Sequence, residues 1–126
     1  MSKSPAHQKH PEHRITEQRV TQRMSVSIKG EVIAESDDVV RVDEDRSPPR
    51  FYFPRADVRM EKLDRSGTTS VCPFKGTAHY FNITANGKQL KDAVWTYETP
   101  YDEHAGLKER LAFYDDKLPE IEVKPA

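Results

Sequence analysis

The chain has 126 residues, of which 35% are hydrophobic and 33% charged. This length provides one domain with its own core and excludes two. The formal net charge is -1, with acidic residues interleaved among the basic ones, so we expect no nucleic-acid partner. No apolar run fits a membrane span or a secretory signal, and we therefore expect a soluble, cytoplasmic protein without a membrane partner.

The first thirteen residues are polar, contain two prolines and show no apolar periodicity. Such a segment cannot bury enough apolar surface to offset the entropy of ordering it. We therefore predict a disordered N-terminal tail over residues 1–13 and a single β domain over residues 14–124.

The first part of the domain has the period-two alternation of β-strands. Met24, Val26 and Ile28 alternate with polar residues, Gly30 interrupts the run, and residues 31–36 resume it. This pattern predicts a hairpin with Lys29-Gly30 near its tip. A third strand follows at residues 39–42, and the polar, proline-containing segment 43–50 is predicted to be a loop.

The central segment predicts two further short strands. Residues 51–53 form an aromatic run that ends at Pro54, and residues 57–63 alternate again. A turn is predicted at residues 64–67, because Ser66-Gly67 is a typical turn pair.

The clearest hairpin signal lies in the second half of the chain. Residues 77–85 alternate as a strand, and Asn86-Gly87 follows them. Both central positions of a type I′ turn need a positive φ, and Asn-Gly is the dipeptide that best provides it. The partner strand is predicted to run over residues 88–97.

A single helix is predicted near residues 100–110. Thr99 is placed as its N-cap, Pro100 as its first residue and Asp102 as the capping-box acid. Residues 111–114 are predicted to form the last strand. The fold class is therefore mainly β, a compact single-domain β roll or barrel of about eight short strands with one short helix.

Four segments of the chain, in this order, resemble the uncharacterised family known as domain of unknown function 427. They are GEVIAES at residues 30–36, YFPRADV at 52–58, CPFKG at 72–76, and WTYETP at 95–100 followed by LAFY at 111–114. The resemblance covers residues 15–116 and implies a compact, mostly β fold with one helix. An alternative label of the family refers to nucleotidyl transfer, which needs paired carboxylates that hold Mg²⁺. The acidic residues of this chain come without a Gly-Ser phosphate turn, so we disfavour that activity.

The CPFKG segment holds the only cysteine, Cys72, three residues before Lys75. A lone cysteine excludes an internal disulfide, and the order Lys-Gly followed by a strand excludes a P-loop. Two interpretations of Cys72 stay open: a thiol activated by a nearby cation, or a small buried hydrophobic residue, which we favour. If the protein is an enzyme, Lys75 is the first candidate for acid–base or electrostatic catalysis and Cys72 the second.

Aromatic and basic residues are concentrated in the same segments of the chain. A small-molecule pocket usually has apolar walls and a few polar groups. The residues predicted to bind a ligand are Tyr52, Arg55, Arg59, His79, Trp95 and Tyr97. The alternative is an aromatic core with a salt-bridged rim, in which Asp57 pairs with one of the two arginines.

The sequence thus predicts a cationic, aromatic-lined pocket for a small anionic or aromatic metabolite. A cofactor-independent lyase, isomerase or cyclase fits this pocket better than a transferase does. We expect no cofactor and no functional metal, and a homodimer is compatible with the sequence. A structural or protein-interaction module without a catalytic site is the main alternative.

Overall fold

A computed structural model describes residues 2–126 and contains ten strands in three antiparallel sheets. The strands are β1 (Ile15–Arg19), β2 (Met24–Ile28), β3 (Glu31–Ser36), β4 (Val40–Glu44), β5 (Arg50–Tyr52), β6 (Leu63–Cys72), β7 (Gly76–Ala85), β8 (Lys88–Tyr97), β9 (Leu111–Phe113) and β10 (Ile121–Pro125). The sheet orders are β1-β4-β5, β10-β2-β3 and β6-β7-β8-β9. The mainly β fold class is therefore confirmed, and the sheets of residues 2–126 form no closed barrel.

Phe53 connects two of these sheets. Its backbone N–H donates to the Leu111 carbonyl, and the Leu111 N–H donates back to the Phe53 carbonyl, each over 2.8 Å. The β1-β4-β5 sheet therefore continues into β9 and the four-stranded sheet. This junction brings β4 and β5 beside β8.

The two predicted hairpins are both present. Lys29 (φ 48°) and Gly30 (φ 88°) link β2 to β3, and Asn86 (φ 51°) and Gly87 (φ 72°) link β7 to β8. Positive φ at both central positions matches a type I′ turn. The Asn86 amide also donates to the Ile28 carbonyl over 2.8 Å, so the two hairpin tips contact each other.

Strands β7, β8 and β9 of the four-stranded sheet are largely buried on both faces. Successive side chains of a strand point to opposite faces. Val94 and Phe113 face a cluster shared with the β10-β2-β3 sheet. Trp95 and Ala112, the neighbouring residues, face a second cluster shared with β4 and β5. This second cluster, rich in aromatic residues, is where the candidate site lies.

The strand predicted over residues 57–63 was wrong. The segment contains two 3₁₀ helices, Arg55–Asp57 and Met60–Lys62. Between them Val58 forms a single bridge with Ala34 and is buried. The apolar alternation therefore reflects two tight turns on either side of one buried side chain.

The turn predicted at residues 64–67 was also wrong. These residues lie inside β6, which continues to Cys72. The pairing of β6 with β7 shifts register between Arg65 and Thr69. A glycine within a strand often marks such a bulge, so Gly67 breaks the regular ladder without ending the strand.

The predicted helix is present as a 3₁₀ helix, Asp102–Leu107. Thr99 does not cap it: the N-cap residue is Tyr101, whose side chain makes no capping hydrogen bond. The Tyr101 N–H instead donates to the Lys75 carbonyl over 2.9 Å. This contact fixes the start of the helix against the turn between β6 and β7.

The segment predicted to be a disordered tail contains the helix α1 (Pro5–Lys9). Ser4 caps it through a hydrogen bond from the His7 N–H, and proline suits the first helical position.

No helix within residues 2–126 has the length and apolar character needed to cross a bilayer.

Gly76 is needed where the turn between β6 and β7 ends. Its φ is +124°, a region that residues with a side chain rarely adopt, and an added Cβ would lie 3.5 Å from Pro100 Cα. We expect Gly76→Ala to lower the free energy of unfolding by about 1–3 kcal/mol. Gly67→Ala is the matched control, since an added Cβ there meets nothing within 4 Å. Urea unfolding of both variants tests this, and equal stabilities would contradict it.

Candidate functional site

A cavity of about 170 Å³ lies where β4 and β5 meet β7 and β8. Its lining residues are Val42, Glu44, Ser47, Pro48, Arg50, Tyr52, Lys75, Tyr80, Trp95, Tyr97 and Tyr114. The walls are thus largely aromatic, with an ammonium, a guanidinium and a carboxylate among them.

Tyr52 and Trp95 form the buried wall of the cavity. The Trp95 indole N–H donates to the Tyr52 hydroxyl over 3.1 Å, and the two rings meet edge to face with centroids 6.2 Å apart. Burial raises the pKa of Tyr52 well above its usual range, so this phenol stays protonated. Both residues are placed at the cavity by the pairing of β5 with β4 and of β8 with β7.

Tyr97 presents a hydroxyl group that no other residue within 2–126 engages through a hydrogen bond. Its ring is buried, and burial raises the pKa of the phenol far above its usual range. A protonated hydroxyl is a hydrogen-bond donor as well as an acceptor. Tyr97 therefore offers the cavity a donor that the protein itself does not use.

Lys75 enters the cavity from the turn between β6 and β7. Its Nζ lies 2.7 Å from Glu44 Oε1, and its side chain is only 8% exposed. The other oxygen of Glu44 accepts from His13 Nε2 over 2.9 Å. Burial raises the pKa of Glu44, but the hydrogen bonds from Lys75 and His13 lower it more, and the net pKa is below its usual value.

The CPFKG turn positions Lys75 through contacts on both sides. The Lys75 carbonyl accepts from Tyr101, and the neighbouring Phe74 ring stacks on the His13 ring with centroids 4.2 Å apart. Phe74 packs against His13 outside the cavity, whereas Lys75, the next residue, lines the cavity. The ammonium lies 5.9 Å from the Tyr97 ring centroid, within range of a cation–π contact.

Cys72 lies beside Lys75 but not among the residues that line the cavity. Its Sγ is 3.8 Å from Lys75 Nζ, and its side chain packs partly buried against the aromatic cluster. The geometry provides a cation next to the thiol, as the activated-thiol interpretation requires, and also the packing that the alternative requires.

Arg50 and Glu44 line the cavity although the sequence analysis did not select them. Arg50 donates to both oxygens of Asp116, over 2.7 and 3.3 Å. Its guanidinium lies 5.1 Å from the Trp95 ring centroid and 5.4 Å from that of Tyr114. Both residues fall in the segment predicted to be a loop, and only their approach to β8 and β7 in space identifies them.

Arg55 and Arg59 do not converge on one site. Arg55 contacts the Glu109 carbonyl over 2.8 Å and lies 3.6 Å from Glu98, whereas Arg59 contacts Glu61 over 3.0 Å. Neither lines the cavity.

His79 and Asp57 also make contacts outside the cavity. His79 Nε2 lies 3.8 Å from a Glu98 oxygen. Asp57 accepts from the Ser36 hydroxyl over 2.6 Å rather than from an arginine. The structure therefore brings together four of the eight predicted residues at the cavity: Tyr52, Lys75, Trp95 and Tyr97.

Comparison with known proteins identifies the family but no activity. No curated protein matches the chain. A family model described as "Domain of unknown function (DUF427)" matches residues 16–124, which include every strand from β2 to β9 and all the residues that line the cavity. The chain therefore belongs to the DUF427 family.

Proposed function

We propose that the cavity binds a small anionic organic molecule with a single aromatic or planar ring. The observation that carries the proposal is the joint presence of the Lys75 ammonium and the unengaged Tyr97 hydroxyl in an aromatic cavity. An anion would accept from both groups while its ring packs against Trp95.

The size of the cavity supports a ligand of this class. A dry cavity of about 150 Å³ in another protein holds a benzene molecule, and this cavity has about 170 Å³. A single ring with one carboxylate fits that volume. A nucleotide does not, because its base, sugar and phosphates need several times that space.

The charges in the cavity support an anion over a cation. The lining contains two cationic side chains, Lys75 and Arg50, and one carboxylate, Glu44. Asp116 engages the Arg50 guanidinium from outside the lining residues. The ligand carboxylate would displace neither ion pair, since Tyr97 supplies the donor that is not already engaged.

If the ligand is also turned over, the Lys75–Glu44 pair is the group that would move a proton. The Lys75 ammonium would donate the proton to the ligand, and Glu44, 2.7 Å away, would hold the ammonium in position. Proton transfer of this kind needs no cofactor, and it belongs to lyase or isomerase chemistry.

Nucleotidyl transfer is less well supported. Its metal ions need free carboxylates, and three acidic residues that stand beside another acid in the sequence are engaged by the protein. Asp43 pairs with Arg41, Asp45 accepts from the Arg14 N–H, and Asp116 pairs with Arg50.

Binding of single-ring carboxylates tests the proposal. We expect benzoate, or a close relative in a panel of single-ring carboxylates, to bind with a dissociation constant on the order of 1 mM, as nine non-hydrogen atoms allow. Its uncharged counterpart benzamide should bind at least tenfold more weakly. Isothermal titration calorimetry measures both.

Variants locate the binding site. Lys75→Met should weaken carboxylate binding about tenfold and Tyr97→Phe about fivefold, since each removes one donor. Arg59→Met is the matched control, because it removes a cation outside the cavity, and it should leave binding unchanged. Absence of binding across the panel, or equal binding by all three variants, would instead support a structural module.

A further inference from the structure

The N-terminal segment, residues 4–13, lies against the CPFKG turn and the 3₁₀ helix Asp102–Leu107. The Ser4 hydroxyl donates to the Pro73 carbonyl over 3.1 Å, and the Ser4 N–H donates to Glu103 over 2.9 Å. His7 meets the Phe74 ring edge to face with centroids 4.9 Å apart. The segment is therefore docked by a few polar contacts and one aromatic residue, with only Ser4 and Ala6 buried.

Three titratable side chains form a line that runs from the docked segment into the domain. His7 Nε2 lies 2.8 Å from His104 Nε2, and His104 Nδ1 lies 2.5 Å from Glu17 Oε2. Two imidazole nitrogens at hydrogen-bond distance need one proton between them, because one ring must donate and the other accept. His104 is 2% exposed, so water cannot separate the two rings while the segment is docked.

We propose that the His7–His104–Glu17 line is a proton-controlled latch that holds residues 4–13 on the domain. With one proton between the two rings the latch is closed. When each ring is protonated on both of its nitrogens, neither facing nitrogen can accept, two positive charges meet at contact distance, and the segment is released. Release uncovers Phe74 and removes His13 from Glu44, the partner of Lys75.

Charged groups on the elements packed around His7 act on its pKa in both directions, and the acidic groups do not offset the lowering. His104 and His13 disfavour a positive His7, whereas Glu103 and Glu44 favour it. Burial is the largest influence, and together with His104 it lowers the pKa of His7 below its usual value. Glu17 is on the far side of His104 and accepts from its other ring nitrogen, so the shared proton of the pair must lie between His7 Nε2 and His104 Nε2.

The direction of the pH dependence follows from this lowered pKa. The released segment binds a proton at the ordinary histidine pKa, about 6.5, whereas the docked segment binds it only at lower pH. Docking is therefore strongest above that pH and weakens as the pH falls below it. If the docked state excludes one proton, the docking equilibrium should weaken roughly tenfold between pH 7.5 and pH 5.5.

Hydrogen exchange measured on the full chain tests the latch. We expect the protection of the Ser4 and His10 amides, corrected for the intrinsic pH dependence of exchange, to fall roughly tenfold between pH 7.5 and pH 5.5. Amides of β7 and β8 should keep their protection over the same range. The His7 ring signals in NMR spectra should change with the same midpoint.

Two variants separate the latch from general acid sensitivity. His7→Gln carries no titratable ring, so its protection should change less than twofold over that range. His10→Gln is the matched control, since the His10 ring is exposed and its ion-pair contact is with Glu12, and it should keep the wild-type fall. Wild-type protection that stays constant, or a His7→Gln variant that keeps the tenfold fall, would overturn the latch. The latch rests on contacts of residues 4–13 and stands or falls independently of ligand binding in the cavity.

Discussion

Glu44→Ala is expected to lower the free energy of unfolding by about 3 kcal/mol. The substitution leaves the Lys75 ammonium in a side chain that is 8% exposed. Its remaining neighbours are the Cys72 thiol at 3.8 Å and the face of the Tyr97 ring at 5.9 Å. Neither neighbour replaces a carboxylate, so the charge is either buried without compensation or lost from the site.

Substitution of Lys75, the other partner of the pair, is expected to lower the free energy of unfolding by a smaller amount. In Lys75→Met, Glu44 is still 20% exposed to water and still accepts from His13, so we expect a loss of about 1 kcal/mol. The double variant Glu44→Ala/Lys75→Met should be as stable as Lys75→Met alone to within about 0.5 kcal/mol.

A double-mutant cycle measured by urea unfolding gives these values, with His13→Gln as the control for the second hydrogen bond of Glu44. Additive effects of the two single substitutions would show that Lys75 and Glu44 do not interact. The interaction between a buried cation and its carboxylate would then have to be abandoned as a basis for the site.

Phe53→Ala is expected to lower the free energy of unfolding by about 4 kcal/mol. Phe53 is fully buried, and its ring meets Phe113 edge to face with centroids 5.9 Å apart. Its backbone also joins the β1-β4-β5 sheet to β9. Loss of the ring leaves a cavity at the junction that holds β4 and β5 against β8.

Phe51→Ala is the matched control for this prediction. Phe51 is two residues away in sequence and only partly buried, with the Arg41 guanidinium 5.8 Å from its ring centroid. We expect a loss of about 1–2 kcal/mol for it. Thermal and urea unfolding measure both variants. Similar losses would contradict the position of Phe53 as the centre of the sheet junction.

Local patterns predicted the β-rich fold because strand alternation and turn chemistry are properties of short segments. The Asn86-Gly87 hairpin is the clearest case, since its two positive φ values are needed whatever the rest of the chain does. β1 and β10 were not predicted. Their side chains are mostly exposed, and the partners that make them strands, β4 and β2, lie far away in sequence.

The candidate site could be predicted only in part. Trp95 and Tyr97 share a face of one strand, so side-chain alternation predicts that both lie in the same cluster. Arg50 and Glu44 reach the cavity through contacts between β4, β5 and distant strands, which no local pattern encodes. Arg59 is the opposite case: it is close in sequence to Arg55, but Glu61 and Glu31 engage its side chain away from the cavity.

Helix α1 was not predicted because it buries one apolar side chain, that of Ala6. Its capping signal, Ser4 followed by Pro5, is present in the sequence. Its docking depends on His104 and Phe74, about 70 to 100 residues further along the chain. The composition of the segment alone carries no information about these partners.

The most direct test of the proposed binding site is the NMR signal of the Trp95 indole N–H during titration with benzoate and the related carboxylates. The indole N–H lies in the cavity wall and donates to Tyr52, so a bound ring must shift its resonance. We predict a saturable shift of this resonance. The dissociation constant obtained from it should rise about tenfold in Lys75→Met and stay unchanged in Arg59→Met. An indole resonance that stays fixed up to about 10 mM of each carboxylate, a concentration that would saturate a millimolar site, would contradict the proposal.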